Sequence, residues 1–477
     1  MILSFFVSQA FSQPYLEGEI TGYQTLPFSL DNEATQSQQE SWLRTRFFIG
    51  QNLAPAKNWR IKTRLEFSNA QIWGDYSTLG TSVDDNIFRI QRSDNSDIFY
   101  ALPRDLSISY TSEKWGFNIG VQSFLWGLGI LSHDGRNTSR FGTTQQGNTY
   151  ARAGLFTVPS ANNRGMMFFG AADIIIRDEN AFLYEGDSAA QFITGVQQLQ
   201  PDLKWGFISG LRYQIDREDE LHPLSPTTSF AIPFDGYVQW DLKSGLQLAA
   251  ESVYVYGITN RIYSEQTRGE NSSIGYMGGV ARIQHNSAML QGTFNPLLEI
   301  GYASGDANST DQKARTLSFH SDYNVGLLLY DEILPKVQAR SMERLVDPDL
   351  SQTPPSGLRY GVSQGGVSNS FYTQLCTTWS TETLLIRAGW LHAYSAVPLS
   401  DAYQSGISGG YLKDHLGENA EQYALGNELD IRLQYSPIQN IRLILDAGTF
   451  FPGSALSFME PSWMLMAQAN VLVGGAQ

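Results

Sequence analysis

From Trp59 to Phe67 the chain reads WRIKTRLEF, with Trp59, Ile61, Thr63, Leu65 and Phe67 alternating with Arg60, Lys62, Arg64 and Glu66. A strand sends successive side chains to opposite faces, so this stretch makes one apolar face and one charged face. Wound as a helix, the same residues would scatter charge on every side. The pattern recurs strand after strand, with nothing left over to form a soluble core. The expectation is an all-β chain folded as a transmembrane antiparallel β-barrel.

The candidate strands alternate short connections with long ones. Tyr15–Gln24 comes first. Trp42–Gln51 follows, with Leu43, Thr45, Phe47 and Ile49 outward and Arg44 and Arg46 inward, and a tight link leads into the strand from Trp59 to Ile72. Six hairpins follow: Leu106–Thr111 with Trp115–Phe124, Tyr150–Thr157 with Gly165–Ile176, Ala189–Leu199 with Leu203–Asp216, Ser229–Asp241 with Leu246–Tyr256, Ser272–Ile283 with Ala288–Tyr302, and Asn369–Trp379 with Leu384–Tyr394. Gln422–Tyr435, Ile441–Thr449 and the closing Ser462–Val473 complete 18 strands, or 16 if Tyr15–Gln24 and Tyr150–Thr157 are not strands. Short turns belong at the periplasmic end of such a barrel and long loops outside. The connection 303–368 is too long for an idle loop. Its apolar run YNVGLLLY and a short helix within Asp331–Leu345 need cover, which predicts that it folds into the lumen or lies across the rim.

Composition narrows the class. The 477 residues include 12% aromatics, 44 glycines and only 17% charged residues, which suits aromatic girdles and tight turns. Mean hydropathy is −0.24, and no apolar run reaches the length of a membrane helix. The net charge of −15 argues against nucleic acid as a partner. Residues 1–12, MILSFFVSQAFS, read as the remnant of a signal peptide or else as a strand extension, leaving 13–477 as one barrel domain. The lone Cys376 falls on a strand and reads as a packed thiol.

The predicted lumen face carries Arg44, Arg46, Arg60, Lys62, Arg64, Lys204, Arg212, Arg387, Arg432 and Arg442, against Glu66, Asp216, Glu251, Glu299, Glu428, Asp430 and Asp446. The first five sit on paired strands with only Glu66 to answer them locally. They form a cation ladder that would attract anions, helped by Arg387, Arg432 and Arg442. A structural alternative pairs them with Asp331, Glu332 and Glu343 of the infolded loop. No HExxH, GxSxG or P-loop pattern occurs, and no cofactor is implied. Asp306, Asn308 and Asp311 have the spacing of Ca²⁺ ligands and equally that of an Asx-rich turn.

The segment GNELDIRLQYSPIQNIRLILDAGTFFPG (Gly426–Gly453) resembles the penultimate hairpin of the alginate-export type of outer-membrane channel. That pattern has a Gly-x-Glu-x-Asp strand followed by a strand ending in an aromatic-Pro-Gly rim. RTRFFIGQ, RLEFSNAQIWGD and YASGD (Tyr302–Asp306) are similar to the same group. The resemblance implies an 18-stranded barrel with an arginine-rich lumen that passes an anionic polysaccharide. The functional expectation is a monomeric outer-membrane porin for anionic or polar solutes, in contact with outer-membrane lipid or lipopolysaccharide. Two alternatives stand beside it: a plugged barrel serving as receptor or scaffold, and a lipid-acting enzyme with a nucleophile and base on one lipid-facing rim.

Overall fold

The computed structural model describes residues 13–474 except 34, 38, 75–78, 80–100, 137–138, 145–146, 159–164, 217–225, 262–269, 309–310 and 352–362. The candidate signal remnant 1–12 and the turn Pro159–Arg164 lie outside the described residues.

Among the described residues, eighteen strands make one barrel. They are β1 (Tyr15–Thr25), β2 (Ser41–Ala56), β3 (Trp59–Gly74), β4 (Leu102–Thr111), β5 (Trp115–Ser123), β6 (Thr149–Thr157), β7 (Met167–Arg177), β8 (Ser188–Leu199) and β9 (Leu203–Asp216). The second half holds β10 (Thr227–Asp241), β11 (Leu246–Thr259), β12 (Ser272–His285), β13 (Gly292–Ala303), β14 (Ser370–Ser380), β15 (Leu384–Ser395), β16 (Ala424–Ile438), β17 (Ile441–Pro452) and β18 (Ser462–Gly474). Each strand pairs antiparallel with its neighbour in sequence. β18 pairs with β1, placing Ile20 opposite Ala469, and this closes the sheet and removes both edges.

Alternation decides the two faces. On β9, Phe207, Leu211 and Tyr213 are exposed while Ile208, Gln214 and Asp216 are buried inside. On β16, Leu429, Ile431, Leu433 and Tyr435 face out while Glu428, Asp430 and Arg432 face in. Exposed apolar side chains on a closed barrel require lipid. Aromatic residues gather at both ends of this belt. Trp59, Tyr110, Trp115 and Phe117 cluster beside the short turns, and Tyr213, Tyr256, Tyr302, Phe371 and Tyr394 lie toward the long connections. None of the described helices is long and apolar enough to cross a membrane.

Three features of the strands depart from the sequence expectation. β4 begins at Leu102, four residues earlier than expected, which brings Arg104 and Asp105 into the wall. β1 turns Glu17 and Glu19 inward opposite the exposed Leu16 and Ile20. The β12–β13 hairpin turns at Leu290-Gln291, where φ is 48° and 60°, and not at His285-Asn286. Ser287–Met289 prolongs β12 beyond that break by pairing with β13.

Two long connections fill the bore. Residues 304–369, between β13 and β14, hold Leu327, Leu328, Leu329, Ile333 and Val337, all buried in one cluster with inward wall residues such as Val253, Tyr372, Leu391 and Phe450. A π-helical turn, Leu329–Ile333, leads into helix α1 (Leu334–Val346), with a proline in its first turn where no intrahelical N–H is lost. The second connection, 124–148 between β5 and β6, contributes Trp126, Ile130 and Phe141 to the buried interior.

Candidate functional site

The candidate functional surface is the inner wall together with these two inserted connections. Residues 124–148 cross the bore, because contacts tie them to strands around the circumference. Arg46 on β2 donates to Thr144 O at 3.0 Å, and Arg104 on β4 donates to Gly147 O at 2.9 Å. Gly206 on β9 accommodates Trp126, since a Cβ there would lie 2.7 Å from the indole. Gly389 on β15 does the same for Phe141, at 2.7 Å. Glu251 on β11 accepts the N–H groups of Leu128 and Gly129. Arg432 on β16 donates to Ser139 O at 2.9 Å and Gly142 O at 2.7 Å.

Residues 304–369 are held by the same device. Glu428 on β16 accepts the successive backbone N–H groups of Leu327, Leu328 and Leu329, the latter two at 2.8 Å each. Three converging donors fix the start of the π-helical turn, where orphan N–H groups need acceptors. A Cβ on Gly326 would lie 2.7 Å from the same carboxylate, so the approach requires glycine. Inward wall carboxylates thus act here as sockets for loop backbone.

The residues of the predicted cation ladder lie on the inner wall and are largely partnered. Arg46 binds Glu66 at 3.0 Å, and Arg104 joins the same carboxylate at 3.0 Å. Lys62 reaches Asp105 at 3.3 Å, Arg64 reaches Glu17, and Arg44 donates to Asn69. Local repulsion is therefore answered by Glu17 and Asp105 as well as Glu66. One of the extra acids lies in the weakly patterned β1 and the other at the early start of β4. Arg60 lies opposite Ser109 near the short-turn end, and Arg442 is exposed opposite Asn470. Arg212 on β9 takes Asp178 of the connection 178–187.

Arg387 differs from these. One lateral row places Thr378, Arg387, Arg432 and Asp446 on successive strands. Arg432 takes Asp446 with both of its bonds at 2.7 Å. Arg387 donates to the Thr378 hydroxyl at 2.9 Å and to the carbonyl of Arg140, and it forms no salt bridge among the described residues. The row thus holds two guanidinium groups and one carboxylate, which Arg432 takes.

For Glu332 and Glu343 the expected pairing with wall arginines takes another form. Glu332 pairs with Lys336 at 3.0 Å and Glu343 lies 3.9 Å from Arg340, both within the helical segment itself. The polarity of the clasp is reversed: α1 supplies cations and the β1–β2 connection supplies acids. Lys336 binds Glu40 at 2.8 Å, Arg340 binds Asp31 at 3.1 Å, and Arg344 reaches Glu33. Positions 336, 340 and 344 recur every four residues and so form one stripe on the helix. Burial pushes the Lys336 ammonium down, but Glu332 and Glu40 more than offset it and raise it above the usual lysine value.

The Ca²⁺-like spacing is taken up by an internal cation. Arg315 binds Asp306 at 3.2 Å and Asp311 at 2.8 Å, while Asn308 N donates to Asp306 in an Asx turn. Arg104, Arg136, Arg140, Arg152 and Arg282 also enter the lumen network, and none is among the sequence candidates. Arg140 and Arg282 both bind Glu299, Arg282 at 2.8 Å, and Arg152 grips Asp173 through two bonds at 2.7 Å. Period-two alternation could have exposed Arg152 and Arg282, which face inward on β6 and β12. Arg136 and Arg140 sit in irregular chain, where no period exists to read.

A closed barrel with a lipid-facing belt, a charged interior and two infolded connections is an outer-membrane β-barrel, and its place is the bacterial outer membrane. Its fold matches that of Acinetobacter baumannii OccAB2, with a TM-score of 0.51 at 8% identity over 97% of this chain and 98% of that one. Pseudomonas aeruginosa OccK11 (OpdR) aligns with TM-score 0.49 and 9% identity over 99% of both chains, and OccK5 (OpdH) with 0.49 and 9% over 97% and 98%. At these identities the likeness concerns the fold. No family model and no curated protein matches the sequence.

Proposed function

We propose that the barrel is a passive, non-enzymatic channel for small polar solutes that favours anions, working as a monomer among outer-membrane lipids. The observation that carries the anion preference is the row Thr378–Arg387–Arg432–Asp446, in which Arg387 is satisfied only by neutral acceptors. Glu66, Asp105, Asp173 and Glu299 are engaged with other cations, so these acids do little to cancel it. Arg60 and Arg442 extend the positive wall toward the short-turn end, with Arg44, Arg46, Lys62, Arg64 and Arg432 as its partnered framework. The resemblance of Gly426–Gly453 to alginate-export channels supports an exported anionic polysaccharide as a longer cargo.

The test is the reversal potential of single channels in a potassium chloride gradient, comparing the native chain with Arg387→Gln. Glutamine keeps hydrogen-bonding capacity and deletes one charge. The expected result is a shift toward cations, largest at low salt where screening is weak. An unchanged reversal potential from a normally folded barrel would rule out Arg387 as a source of selectivity.

A second reading, a plugged barrel serving as receptor or scaffold, is favoured by the apolar core within the bore. Leu327, Leu328 and Ile333 are wholly buried there. Conduction by the native chain separates the two.

A further inference from the structure

Two histidines meet where the inserted connections touch. His133 belongs to residues 124–148 and His320 to residues 304–369, and their ring centroids are 5.6 Å apart. Both side chains are buried. The Nδ1 atom of His133 accepts Gly135 N–H at 3.1 Å, and Nδ1 of His320 accepts Asp322 N–H at 3.1 Å. His320 Nε2 lies 2.9 Å from Asn148 Oδ1, an acceptor, so that nitrogen carries the proton. His320 N also donates to Ile130 O at 2.8 Å, and Gly147 N donates to Asp322 Oδ2 at 2.7 Å. The two connections are thus sewn together around a pair of imidazoles whose hydrogen bonds require the neutral form.

We propose that His133 and His320 form an acid-released clasp that holds the two lumen connections against each other. An incoming proton must settle on Nδ1 of either ring, where a backbone N–H already points. Protonation therefore sets donor against donor at Gly135 and at Asp322. With both rings charged, two buried cations face each other across one contact.

Charged groups face the pair from every element packed against it. On 124–148 stands Asp134. On 304–369 stands Asp322, with Oδ2 3.9 Å from His133 and 4.0 Å from His320. From the connection 178–187, Glu179 comes within 3.5 Å of His320 and is also engaged by the Ser321 hydroxyl at 2.6 Å. From the wall, Arg46 on β2 interacts electrostatically with Asp322, and Arg104 on β4 holds Gly147 O, so each brings further positive charge. Burial also lowers His133 below the usual histidine value, with Asp322 acting the other way. A depressed histidine contributes stability that is present above about pH 6.5 and lost as pH falls toward its folded value.

The experiment is hydrogen–deuterium exchange on the detergent-solubilised full chain at pH 7.5 and 5.0, corrected for intrinsic rates. It follows peptides spanning 128–136 and 317–325. The native chain should lose about tenfold or more in protection at the acid pH, while the double variant His133→Gln and His320→Gln should show no such step. Equal loss in the variant, or undiminished protection in the native chain, would overturn the clasp. If the double variant does not fold, His133→Gln alone carries the same comparison, and a native-sized step in it would overturn the clasp. Single-channel recordings over the same range form the second arm, which rests on the channel reading. A barrel that exchanges as expected but does not conduct would retain the clasp and refute the channel.

Discussion

Glu428 shows how one side chain can decide what occupies the bore. Its carboxylate gathers the N–H groups of Leu327, Leu328 and Leu329 from a connection 99–101 residues away in sequence. A buried donor left without an acceptor costs about 1–3 kcal/mol. Glu428→Ala strands these donors together, so residues 326–330 should exchange amide hydrogens at least about tenfold faster. Folded-barrel mobility on unheated gels should stay native, because the β16–β17 pairing is untouched. Gly326→Val should produce the same exchange signature through the opposite cause, a side chain in the carboxylate's place. Unchanged exchange in both variants would mean that the socket does not hold the loop. In the amino-acid sequence Glu428 is legible only as an inward acid on an alternating strand. Nothing local to it says that its partner is the backbone of YNVGLLLY.

Helix α1 and the strand faces carry the predictions at the next scale. The stripe Lys336, Arg340 and Arg344 meets Glu40, Asp31 and Glu33 across two connections. Burial alone would push the Asp31 carboxyl up, but bonds from Thr35 and from Arg340 hold it below the usual carboxylate range. Its contribution is therefore present above about pH 4 and lost as pH falls through the lowered value. Lys336 has the opposite sign: raised by its partners, it contributes below about pH 10.4 and is lost as pH rises past that. Limited proteolysis within 26–40 should therefore be slow between these limits and accelerate beyond either. A rate that does not change with pH would show that the ion pairs do not hold the helix. On the strands, Leu65→Arg on the lipid face should cost about 2–4 kcal/mol near the membrane midplane. Gln434→Arg on the lumen face should be nearly neutral, and equal costs would invert the assignment of faces.

The elements are readable to different depths for physical reasons. β3, β9 and β16 alternate cleanly, because lipid on one side and a polar lumen on the other leave no freedom at either position. β1 mixes Glu17 and Glu19 with Gly18 and Gly22, so its lumen acids lack the apolar contrast that would mark them. The connection 124–148 reads as a glycine-rich surface loop. Its anchors, Trp126, Ile130 and Phe141, are widely spaced and dock into gaps left by wall glycines that sequence cannot place opposite them. That connection is the main difference between the expected and the observed site. A constriction assigned to 303–368 alone is built by two connections pinned to most of the circumference.

For the molecule as a whole, the first and last described strands begin and end, at Tyr15 and Gly474, at the same end of the barrel as the described short turns, and the long connections start from the other end. The wall arginines hold structure as much as they present charge, since Arg46, Arg104 and Arg432 each bind a carboxylate and a loop carbonyl together. On the proposed channel reading, selectivity falls to the cations that bind no carboxylate, with Arg387 foremost, and solutes would pass between the two connections under a positive field. Purified full-length chain in a planar bilayer, with an approximately tenfold potassium chloride gradient across it, puts this to the test. Discrete conductance steps are expected, with a reversal potential displaced toward chloride, more so as total salt is lowered. A folded barrel that shows no steps, or one whose reversal potential lies on the potassium side, would contradict passage under a positive field.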